Sequence, residues 1–138
     1  MLLRGLIVLL GAVYCYAQSG PKEYALQCQK DYNIPDDVFK KIQWNLKATD
    51  EQNVNQRCFI ECMLKAEGTI KNGELDQDFV VEEAKKDLVQ VNLTLDEPKF
   101  RRSVATCAAQ DGQGQCTRSN NIWKCLADLL SGGLPLVS

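Results

Sequence analysis

Histidine is absent from all 138 residues. Its imidazole is the usual proton shuttle near neutral pH and the commonest metal ligand. The absence weighs against hydrolases, including the small secreted phospholipases, which place a histidine beside their cysteines. It also leaves any acid-triggered change to carboxylates, at lower pH. Zinc is disfavoured too, because its sites combine closely spaced cysteines with cysteine or histidine partners, and the cysteine spacing here is long-range. No catalytic residue, metal or cofactor is therefore expected, and the chain is read as no enzyme. Paired acids such as Asp36-Asp37 and Glu82-Glu83 fall at a helix start and on an exposed face, where capping and solubility explain them. Strand-like alternation is scarce and confined to residues 89–95. Beyond the first residues no apolar run reaches the roughly 20 needed to span a bilayer, so no membrane insertion is expected. A formal charge of only −2 offers little attraction to phosphate backbones, which argues against nucleic acid as a partner.

The amino terminus has the features of a secretory leader. One positive charge, Arg4, precedes an uncharged apolar stretch over residues 6–13, and Cys15-Tyr16-Ala17 is a small-x-small cleavage pattern. Residues 1–17 are expected to be a signal peptide, leaving residues 18–138 as a single secreted domain. A transmembrane anchor fits poorly, since the run stops at Gln18-Ser19-Gly20. Cleavage removes Arg4 and Cys15, so the charge becomes −3 and the seven cysteines become six.

What remains reads as helix after helix. Three of the four prolines, Pro21, Pro35 and Pro98, stand where a helix can start without losing an amide bond. Helices are expected over residues 21–32, from Pro35 through an apolar stripe of Val38, Ile42 and Leu46 beside Phe39, and over residues 51–67 with Asp50 as cap and Gly68 as stop. After turn chemistry at Lys71-Asn72-Gly73-Glu74, a fourth helix capped by Asp76 or Asp78 buries Val80, Val81, Ala84, Leu88 and Val91. A fifth runs from Asp96 to about residue 110. Asp111-Gly112-Gln113-Gly114 breaks it, and a sixth covers residues 115–130. The expected fold class is all-α.

Six cysteines in an oxidising compartment form disulfides. Cys58 and Cys62 lie one helical turn apart, where a bond between them would distort the helix. The other pairings stay open on these grounds. The pattern is Cys28, 29 residues, Cys58, 3 residues, Cys62, 44 residues, Cys107, 8 residues, Cys116, 8 residues, Cys125. It resembles the six-cysteine insect odorant-binding proteins, the pheromone/general odorant-binding family, over essentially the whole of residues 18–138. The gap of 44 residues is slightly long for that family, which implies an extended connection around residues 71–76 or before Asp96. The resemblance implies a compact six-helix domain whose three disulfides, Cys28–Cys62, Cys58–Cys116 and Cys107–Cys125, enclose an apolar cavity. It also implies carriage of small hydrophobic ligands, odorants or pheromones among them, through sensillar lymph or another secretory fluid toward a membrane odorant receptor.

A cavity needs converging apolar faces with few polar groups. The stripes nominate Phe59, Met63, Val80, Ala84, Leu88, Val104, Ile122, Trp123, Leu126 and Leu130 as ligand-binding residues. Met63 can adapt to several shapes, and Trp123 can stack on a ligand. The apolar end of the 126–138 segment, Leu134-Pro135-Leu136-Val137, is expected to fold back over Gly132-Gly133 and wall the pocket, because it costs free energy in water. Asn92-Leu93-Thr94 is a glycosylation sequon. The competing expectation is a secreted, disulfide-stapled helical interaction or defence protein with no ligand cavity. A weak homodimer stays open.

Overall fold

The computed structural model describes residues 22–137. The expected signal peptide and Pro21 lie outside them. Within them run α1 (Glu23–Asp31), α2 (Asp36–Asn45), α3 (Val54–Glu67), the antiparallel hairpin β1 (Ile70–Lys71) and β2 (Glu74–Leu75), α4 (Gln77–Val89), α5 (Glu97–Ala108) and α6 (Thr117–Ser131). The described residues form a six-helix, all-α fold with three disulfides.

Side-chain caps set several helix starts. Asp76 accepts from the Phe79 amide at 3.0 Å, and Asp96 from the Lys99 amide at 3.3 Å, with Pro98 in the first turn. Each such cap stabilises by about 1 kcal/mol. The third helix differs from expectation: it begins at Val54, and Asn53 rather than Asp50 caps it, accepting from the Gln56 amide at 3.2 Å. The Asp50 carboxylate instead takes the Gln52 amide at 2.9 Å in a tight turn. Buried Gln56 then takes the amides of Thr49 and Asp50 at 2.8 and 3.0 Å, which fastens this loop to α3. Gly68 ends α3 at φ 88, a conformation that favours glycine. Asn72 and Gly73, at φ 54 and 78, form the two-residue turn whose twist suits a hairpin. The hairpin lies within the long stretch between Cys62 and Cys107, where an extended connection around residues 71–76 was expected. Residues 89–95 form no strand; Leu95 alone makes a bridge, to Leu136.

α3 is the central element, packed on α1, β1 and α6; α6 packs on α5, and α5 on α4. The cysteines follow these contacts. Cys28 on α1 bonds Cys62 on α3, Cys58 on α3 bonds Cys116 at the start of α6, and Cys107 on α5 bonds Cys125 on α6. The two cysteines of α3 thus tie it to different neighbours. Neither α2 nor α4 carries a disulfide. The buried face of α2 is Phe39, Ile42 and Gln43, whereas Val38 and Leu46 of the expected stripe are only half-buried.

Candidate functional site

Four helices send apolar side chains into one cluster. α3 supplies Phe59 and Met63, α4 supplies Val80, Ala84 and Leu88, α5 supplies Val104, and α6 supplies Ile122, Trp123, Leu126 and Leu130. All ten are buried, with Met63 the most accessible at 8%. Val80, Ala84 and Leu88 on α4 and Ile122, Leu126 and Leu130 on α6 recur every four residues, which places them on one face of each helix, with Trp123 beside Ile122. The cluster also takes in Phe39 and Ile42 of α2 and Phe100 of α5. Their helical phasing was visible in the sequence, but which other helix they meet was not.

α2 joins the cluster through two contacts. The Phe39 ring meets Phe59 edge-on with centroids 5.7 Å apart. Trp123 donates its indole N–H to the carbonyl of Leu46, which ends α2 in the left-handed region at φ 66. Trp123 therefore presents an apolar face to the interior while its polar edge is satisfied.

The carboxy-terminal segment is docked. Leu134 is buried in the cluster, the Asp96 amide donates to the Pro135 carbonyl at 2.9 Å, and the Val137 amide donates to the Thr94 carbonyl at 2.9 Å. Gly133 makes the approach at φ 98. Asn92 is exposed in the turn after α4, at φ 57.

Charged groups lie around the apolar interior. Burial pushes the Glu61 carboxyl up, but hydrogen bonds from Ser119 at 2.6 Å and Lys65 at 3.0 Å outweigh it and hold the pKa below its ordinary value. Asp76 is lowered first by the Phe79 amide and then by Lys71. Between α4 and α5, Arg101 reaches Asp78 at 2.7 Å and Glu97 at 3.3 Å, and Lys85 reaches Glu82 at 3.3 Å and Glu97 at 3.4 Å. Two grooves of about 240 Å³ each border α6 and are lined mainly by polar residues. One holds Gln110, Asn121, Lys124, Cys125 and Asp128; the other, Arg57, Gln113, Thr117 and Asn120 among others. Apolar ligands have no match in either.

The sequence profile of the PBP/GOBP family matches residues 17–128, most of the chain and all of its disulfide framework. The chain belongs to the PBP/GOBP family. It is similar to general odorant-binding protein 56a of Drosophila melanogaster, at 23% identity over 104 residues, covering 75% of this chain and 68% of the relative. No solved structure matches it. Residues 129–137, which include the docked tail, lie beyond the family match.

Proposed function

We propose that this PBP/GOBP member is an extracellular carrier that reversibly binds small hydrophobic ligands such as odorants or pheromones and moves them through aqueous fluid toward receptors. The observation that carries the proposal is the convergence of ten buried apolar residues from four helices inside a disulfide frame. Family membership and the relative's name support it. The ligand occupies space opened among these ten residues, with Met63 adjusting its shape and Trp123 offering a flat face. Tail residue Leu134 supplies part of the wall. Secretion rests on the leader over residues 1–17, which also supplies the oxidising route for the disulfides.

Carriage asks for reversible binding. A ligand of roughly 14 heavy atoms gaining about 0.6 kcal/mol from each binds near micromolar, tight enough to load and loose enough to release. Asn92 is proposed as a glycosylation site on its exposure, tested by a mass shift on glycosidase treatment of the secreted protein.

The test is titration of the oxidised protein with N-phenyl-1-naphthylamine, followed by displacement with a panel of volatile and fatty compounds. Saturable binding with competitive displacement is expected. No saturable binding across the panel overturns carriage and leaves a solid interior, as in a protein-interaction or defence factor.

A further inference from the structure

The buried face of α2 contains a polar residue that the apolar cluster does not account for. Gln43 is 4% exposed, and its Oε1 has no hydrogen-bond partner. Gln56, buried to a similar degree, shows the ordinary arrangement: its Oε1 receives the Thr49 hydroxyl and the amides of Thr49 and Asp50. A buried polar atom left unpaired is destabilising, and a hydrophobic residue of similar size would remove the penalty. The amide oxygen of Gln43, on the buried face that carries Phe39 and Ile42, therefore lacks the donor that would complete it.

Its position suggests the answer. Helical spacing puts Gln43 one turn after Phe39 and one turn before Leu46 on the same side of α2. Phe39 meets the Phe59 ring at 5.7 Å, and the Leu46 carbonyl takes the Trp123 indole N–H. Gln43 thus lies between the two contacts that join α2 to Phe59 and Trp123, two of the proposed lining residues.

We infer that Gln43 is the polar anchor of the ligand site and selects apolar molecules bearing a hydroxyl group. This rests on the carrier reading above. A hydroxyl donates to the Gln43 Oε1 and accepts from its Nε2, so it satisfies the amide in either orientation. Aldehydes and esters only accept, and hydrocarbons do neither. A site built around a buried hydrogen-bonding group rejects ligands that leave it unpaired.

The experiment is displacement of N-phenyl-1-naphthylamine by nonan-1-ol, nonanal and nonane, using the wild-type protein and the variants Gln43→Leu and Gln43→Met. In the wild type, nonan-1-ol binds about tenfold more tightly than nonane, with nonanal between them, as one recovered buried hydrogen bond implies. Both variants lose that preference, and Gln43→Leu melts no lower than the wild type. Equal alcohol-to-alkane ratios in wild type and variants overturn the assignment and leave carriage intact. So does a wild type without the preference, whether or not the variants fold. Failure of every ligand to displace the probe overturns the carrier reading itself.

Discussion

Two halves of the molecule are held by different means. α1, α3, α5 and α6 are linked through Cys28–Cys62, Cys58–Cys116 and Cys107–Cys125. α2, α4 and the tail have no covalent tie and depend on packing, hydrogen bonds and exposed ion pairs. α4 buries Val80, Val81, Ala84 and Leu88 and meets α5 through the Arg101 and Lys85 pairs. α2 depends on the edge-on Phe39–Phe59 contact and on the Trp123–Leu46 hydrogen bond. A carrier built this way opens on its uncrosslinked side. Crosslinks restrict the ensemble on one side, while the other opens at the lower free energy of non-covalent contacts. The ten proposed lining residues include both kinds: Phe59, Met63, Val104 and the α6 residues sit on the crosslinked frame, and Val80, Ala84 and Leu88 on the uncrosslinked α4.

Deleting crosslinks is the strongest way to break the contrast. On the chain-entropy account, Cys58→Ala with Cys116→Ala, which opens the longest separation of 58 residues, costs about 4 kcal/mol. The pair at separation 18, Cys107 and Cys125, costs about 3 kcal/mol. Thermal melting of the oxidised proteins should rank the losses in that order, and equal losses would show that loop length does not govern them. A smaller effect comes from the uncrosslinked side. Leu88→Ala, 3% exposed on α4, should cost about 2 to 4 kcal/mol through the cavity it leaves. Native-state hydrogen exchange should then show α4 amides exchanging by local opening well before those of α3. Simultaneous exchange of the two helices would show that the crosslinks create no distinction.

Removing the α4 cap, Asp76→Ala, should cost about 1 kcal/mol in chemical denaturation. Acid acts through the same residue and through Glu61. Both carboxyls have pKa values lowered in the folded state, so they stabilise fully above the ordinary carboxylate pKa, and that contribution is lost as pH falls through their lowered values. The melting temperature should fall below about pH 4. Asp76→Asn and Glu61→Gln should each flatten that fall, and an unchanged acid limb in both variants would remove them from the account. The smallest effect is expected at Trp44, which is 84% exposed; Trp44→Phe should change stability by under about 0.5 kcal/mol.

Much of this contrast could be read from the residues. The all-α class followed from periodicity, since Val80, Ala84 and Leu88 recur every four residues and Asp76 and Asp96 announce helix starts. The start of α3 was not legible, because Asp50 and Asn53 both suit a cap. Gln56, six and seven residues further on, takes the amides of Asp50 and Thr49 and so holds the loop that precedes Asn53. The strands Ile70–Lys71 and Glu74–Leu75 are too short to show a period, and only their Asn72-Gly73 turn marked the place. For the site, helix faces nominated Phe59 or Leu126 as buried but could not say that Phe39 would meet Phe59. Gln43 was invisible for a related reason: a glutamine in a helix is ordinarily solvated, and only packing reveals one that is not.

On the carrier reading, the interior around Trp123 accepts apolar ligands. Trp123 is 4% exposed and Trp44 84%, so the Trp44→Phe variant leaves a single buried indole as reporter. Titrating that oxidised variant with nonan-1-ol, whose roughly 10 heavy atoms gain about 0.6 kcal/mol each, should produce a saturable change in Trp123 emission, with half-saturation on the order of tens of micromolar. Emission that stays flat, or drifts without saturating, would contradict the account.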